Sequence, residues 1–154
     1  ADVPVLVMGA LTREELQLAI DVGADVVAWS QEVADAAPRV HAAVTCASVG
    51  CPALRDGAFT ATKLEAQLED GMRRFMGDRT RNRVKGNQIE VSSIFKWFKE
   101  DFEKGHGGFK QVEDVFAKYA EQLSDQPAEQ AALKAKSLTV SHLDYDWSLN
   151  DAGR

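Results

Sequence analysis

Apolar residues follow two rhythms along this chain. Residues 3–9 (VPVLVMG) and 24–30 (ADVVAWS) are short, nearly continuous apolar runs of strand length. Between them Leu16, Ala19 and Ile20 recur at helical spacing. Thr12 lies three residues before Glu15, as in a capping box, and Gly23 supplies a left-handed stop. The pattern predicts a strand–helix–strand unit whose strands, 3–9 and 24–29, lie parallel across a right-handed crossover and are buried by the rest of the chain. Beyond Pro38, Val40, Ala42, Val44 and Cys46 alternate with His41, Ala43 and Thr45, which predicts a further strand.

From residue 62 the helical rhythm dominates. Thr62 and Glu65 repeat the capping-box spacing, and Leu64, Leu68, Met72, Phe75 and Met76 form one helical face that ends at Gly77. Two short polar-apolar runs around Lys85-Gly86-Asn87 predict a hairpin. Ser92 or Ser93 is placed to cap a helix with an apolar stripe of Ile94, Phe95, Phe98 and Phe102, expected to be core. A glycine-rich break at 104–108 precedes a helix marked by Val112, Val115, Phe116, Tyr119 and Leu123. Pro127 opens a short alanine-rich helix, as proline suits the first turn. A strand and a polar-aromatic tail, LDYDWSLN, end the pattern. The expected fold class is α+β: a small sheet, about five helices and the N-terminal strand–helix–strand unit.

Composition fits that picture. With 45% apolar and 27% charged residues in 154, the chain can bury a core of ordinary size. No run is long enough to predict a membrane span. A net charge of −6 argues against nucleic acid as partner. The local exception is 73–85, with Arg73, Arg74, Arg79, Arg81, Arg83 and Lys85 against Asp78, read as a solvated helix end and loop rather than an anion patch. Two cysteines leave the compartment undecided.

Candidate chemistry centres on those cysteines, Cys46 and Cys51, in VTCASVGCPALRDG. A structural zinc site needs four ligands, commonly two cysteine knuckles, and a single loose pair with His41, His106 and His142 scattered elsewhere offers no second knuckle, so no metal is expected. A disulfide is sterically feasible across so short a turn, and would contribute roughly 2 kcal/mol by loop closure. A nucleophile is the third option. If 52–57 forms one helical turn ended by Gly57, Cys51 is its N-cap, where backbone N–H groups favour a thiolate. Cys46 instead sits at a strand end, with His41 the nearest base in sequence but on the opposite strand face.

The segments RVHAAVTCASVGCPALRDGAFTATKLEAQL, SSIFKWFKEDF and LDYDWSLN resemble, in that order, the family known as domain of unknown function 547, over residues 38–150 and truncated at the family's N-terminal side. The resemblance implies that the first cysteine matters more than the second, favouring Cys46, and it attaches no reaction. Residues 3–36 resemble a strand–helix–strand piece of the alanine racemase barrel. The lysine and tyrosine that serve pyridoxal phosphate in that family have no counterpart here, so pyridoxal phosphate and other cofactors are not expected. These resemblances imply a chimeric chain, with a borrowed segment at 1–37 and the family region at 38–154.

The resulting expectation is a binding or accessory domain with a polar pocket at the cysteine turn, built from Ser48, Cys51, Arg55, Asp146 and Asn150. Its alternative is a thiol-dependent hydrolase or acyltransferase with Cys46 as nucleophile and His41 as base or orienter. In either case the tail is expected to fold back over 46–55, with the Asp146 carboxylate anchoring the turn or pairing with Arg55.

Overall fold

A computed structural model describes residues 38–150 apart from 44, 46, 47 and 61. The strand–helix–strand expectation for 3–30 lies outside the described residues, as does Cys46.

The described part is an α+β fold in which six α-helices pack around a three-stranded mixed sheet. The strands are β1 (Arg83–Lys85), β2 (Gln88–Val91) and β3 (Thr139–His142). β2 is central, antiparallel to β1 and parallel to β3. The hairpin pairs Lys85 with Gln88, leaving the two-residue loop Gly86-Asn87. Gly86 has φ 62°, a left-handed conformation that a two-residue hairpin loop asks of its first position and that glycine adopts without strain.

The helices are α1 (Leu64–Gly77), α2 (Ile94–Trp97), α3 (Lys99–Glu103), α4 (Val112–Lys118), α5 (Ala120–Leu123) and α6 (Pro127–Lys134). Leu68, Met72, Phe75 and Met76 of α1 are buried as their spacing predicts, together with Ile89 and Val91 of β2. Val112, Val115, Phe116, Tyr119 and Leu123 are buried too, although the helix they mark is interrupted at Tyr119. Pro127 occupies the first turn of α6.

Four local expectations need correction. Pro38–Ala42 is a 3-10 helix rather than a strand, closed by Ala43 N–H donating to Val40 O at 2.8 Å. Its alternation survives as burial, with Pro38, Val40 and Ala42 inward. Among the described residues the segment has no partner strand. It packs on α1 instead.

At the start of α1, Lys63 rather than Thr62 is the cap residue, and no side chain caps it. Glu65, the acid of the expected capping box, is taken by Arg39 at 2.5 Å. The chain entering α1 is held by Gln67, whose Oε1 accepts from Thr60 N–H and whose Nε2 donates to Ala58 O.

The aromatic stripe is divided. Phe95 (1% exposed) and Phe102 (2%) are core, but Phe98 is 41% exposed. Phe98 lies at the break between α2 and α3, where φ −110° and ψ 26° leave the helical region and turn its ring aside. The fourth correction concerns 52–57, which form no helical turn, so Cys51 is not an N-cap. Leu54 there is exposed, leaving such a turn no apolar face to bury.

Candidate functional site

The turn and the tail meet through their backbones. Residues 48–51 form a β-turn in which Cys51 N–H donates to Ser48 O at 3.2 Å. The tail lies beside it: Ser48 and Leu149 make an antiparallel bridge, Val49 N–H donates to Ser148 O, and Gly50 N–H donates to Asp146 O, each of these two bonds at 2.9 Å. A Cβ on Gly50 would stand 2.9 Å from the Tyr145 ring and 3.0 Å from Asp146 O, so the close approach of the two segments requires glycine.

Tyr145 connects the contact to the sulfur. Its hydroxyl donates to Cys51 Sγ at 3.3 Å and lies 3.1 Å from Ser48 Oγ. The phenol has one proton, so Ser48 serves as the donor in the second bond. Cys51 is disulfide-bonded.

The expected folding back of the tail is therefore present, though its means differ from the expectation. Asp146 contributes its carbonyl to the turn. Its carboxylate Oδ1 accepts from Ser148 N–H at 2.9 Å and from the Ser148 hydroxyl, an Asx-turn that shapes the tail. Arg55 does not pair with Asp146. Its Nη1 donates to Asp70 at 3.1 Å, and its guanidinium lies 5.9 Å from the Phe59 ring centre. Asn150 is exposed beside Leu149.

The opposite wall is built by Arg81 and Asn82, which no motif singled out, together with Ser92 and Ser93. Arg81 donates to Val49 O and, from its other terminal nitrogen, to Asp78. Burial pushes the Asp78 carboxyl up, but hydrogen bonds from Thr80 and the Arg81 charge outweigh it and hold the group below its ordinary value. Asn82 is fully buried. Its Nδ2 donates to Phe75 O at 2.8 Å and its Oδ1 accepts from Ser92 N–H at 3.2 Å, fixing the end of α1 against the end of β2. Ser92 Oγ accepts from Ile94 N–H, and Ser93 Oγ donates to Leu143 O at 2.6 Å. The two serines thus divide the roles expected of one cap: Ser92 holds the start of α2 and Ser93 holds the tail.

Between these walls lies a cleft of about 200 Å3 lined by Val49, Gly50, Thr80, Arg81, Ser92, Ser93 and residues 143–146. Arg81 was legible only as one of six cations in a basic stretch. The other five carry no anion site: Arg73, Arg74, Arg79, Arg83 and Lys85 pair with Glu69, Asp70, Asp125 and Glu90.

His41 has a different setting. Its Nε2 lies 2.9 Å from Asp101 Oδ2, and its ring stacks on Phe98 with centres 4.1 Å apart. Lys104 donates to the other oxygen of Asp101 at 3.0 Å. Burial holds the His41 imidazole below its ordinary pKa, against the pull of Asp101. A neutral His41 donating from Nε2 keeps its lone pair on Nδ1. Asp101, sixty residues away in sequence, is the partner that spacing alone could not assign to His41.

Residues 11–76 match the family model described as protein of unknown function, DUF547. That segment includes the cysteine turn and all but the last residue of α1. It also begins well before residue 38, so it crosses the join expected between 37 and 38. No curated protein and no solved structure matches the chain, and the comparisons contain nothing that supports an alanine racemase fragment.

Proposed function

We propose that this protein is a binding or accessory domain whose ligand occupies the cleft between the cysteine turn and the C-terminal tail. One observation carries the reading: the two backbone bonds from Val49 and Gly50 to the tail build a cleft wall from segments nearly a hundred residues apart. Asp146 lines that wall, Arg81 and Thr80 complete it, and Ser48 and Cys51 support it from behind through the Tyr145 hydroxyl. A sulfur held in a disulfide is no nucleophile, which weighs toward binding over thiol catalysis. Arg55 and Asn150 are not among the residues that line the cleft.

Amide chemical-shift mapping with mixtures of small polar compounds tests it. Ligands are expected to move the amides of Val49, Gly50, Thr80 and Asp144. Perturbations confined to other surfaces, or none with any compound, would remove the cleft from the function.

The His41–Asp101 pair favours the alternative, a thiol-dependent hydrolase or acyltransferase acting through Cys46 after reduction. A reactive Cys46 is expected to alkylate well below pH 8 in the reduced protein, and His41→Ala to slow it. Alkylation only on unfolding would end that proposal. A fused origin for residues 1–37 is a separate proposal, supported if limited proteolysis leaves a stable fragment starting near residue 38.

A further inference from the structure

We propose that the exposed rings of Trp97 and Trp147 and the half-buried Tyr145 ring they touch, together with the adjoining cleft, bind a neutral pyranose saccharide. The inference rests on the binding reading above and names its ligand class.

The three rings are in mutual contact. Their centres are 4.9 Å apart for Trp97–Tyr145, 4.5 Å for Tyr145–Trp147 and 5.7 Å for Trp97–Trp147, the last pair stacked at 26°. Yet Trp97 is 47% and Trp147 71% exposed. With one side of Trp147 packed on its two neighbours, exposure on that scale leaves its opposite side to solvent. Nothing in the folding of the described residues requires an indole there, since a core ring would be covered. The cluster is a platform rather than a cage. Rings at contact distance leave no gap for a quaternary ammonium between them, whereas a flat outer indole suits the axial C–H face of a pyranose ring.

Hydroxyl recognition lies alongside, because Tyr145 belongs both to the ring cluster and to the cleft. Arg81 lines the cleft as well, its two terminal nitrogens already donating to Asp78 and to Val49 O. Asp144, another lining residue, is exposed and has no ion pair among the described residues, so its carboxylate can accept from sugar hydroxyls. Charge selects among saccharides. The Arg81 cation is already matched by Asp78, and Asp144 sits in the lining, so an anionic glycan meets repulsion where a neutral one does not.

The test titrates the full chain with cellohexaose, chitohexaose, laminarihexaose and maltohexaose to about 5 mM, a ceiling that detects millimolar binding. Tryptophan fluorescence and amide shifts are read together. At least one oligosaccharide is expected to bind saturably, moving the Val49, Gly50 and Asp144 amides. Trp147→Ala is expected to weaken it tenfold or more, and Asp144→Asn several-fold, with amide spectra elsewhere unchanged. Binding that survives Trp147→Ala overturns the proposal, as does a tryptophan-dependent response to choline instead of to the sugars. If no sugar binds while other compounds still move the cleft amides, the saccharide inference fails and the binding reading stands. If nothing moves them, both fail.

Discussion

Residues 94–102 supply aromatic rings to two clusters of similar geometry and opposite fate. On one side Phe95 packs against Phe75, Phe102 and Phe116 with ring centres 5.0–5.8 Å apart, and it is buried. On the other, Trp97 packs against Tyr145 and Trp147 at comparable distances and remains half open. Ring contact does not separate the two. The inner cluster lies among α1, α2, α3 and α4, whereas the outer cluster joins α2 to the tail beside the cysteine turn. A second layer, more than any pairing of rings, is what removes an aromatic side chain from water and makes it a determinant of stability.

That contrast should be visible in energies. The largest effect is expected at Phe95→Ala, which opens a cavity beside three other rings and should cost about 3–5 kcal/mol by chemical denaturation. A loss near 1 kcal/mol would place the inner cluster on a par with the outer.

Gly50→Ala is next. The added methyl meets the Tyr145 ring and Asp146 O, and overpacking of this kind should cost about 1–3 kcal/mol. Hydrogen exchange at the Val49 and Gly50 amides should accelerate as the tail lifts. Unaltered exchange would mean that the tail does not hold the turn.

Phe98→Ala should then cost only about 1 kcal/mol, chiefly the lost stacking on His41. A value near that of Phe95 would return Phe98 to the core.

A smaller, pH-dependent effect comes from His41. Burial lowers its pKa in the folded state, so the unfolded chain holds more protons once pH falls through about 6.5, and stability declines there until the folded value is passed. His142 is shifted the same way by burial and the nearby charge of Lys96. Urea midpoints between pH 7.5 and 5 should fall in the wild type and fall less in His41→Phe, with His142→Asn as the control. An equal slope in His41→Phe would assign the dependence elsewhere. Smallest of all, Trp147→Ala should change stability by less than about 0.5 kcal/mol, because little of the indole is buried.

The helices and the hairpin were legible in the sequence because their determinants are local. Leu68, Met72, Phe75 and Met76 share one helical face whatever they pack on, Pro127 suits a first turn, and Gly86 permits the left-handed conformation of a tight loop. The meeting of tail and cysteine turn was also legible in outline, since alternation puts Tyr145 and Trp147 on one side and their rings do touch.

What the tertiary structure decided was everything that depends on a partner distant in sequence. Alternation at 39–46 reads as a strand, but a strand forms only against another strand, and 38–42 meets α1 instead. Phe98 belongs to a helical stripe until the helix breaks at that residue. Arg81, Asn82 and Asp101 look like ordinary polar residues, and their roles come from Val49, Ser92 and His41, each brought close by the fold alone. Periodicity encodes which face a residue presents; the packing of remote segments determines what that face meets.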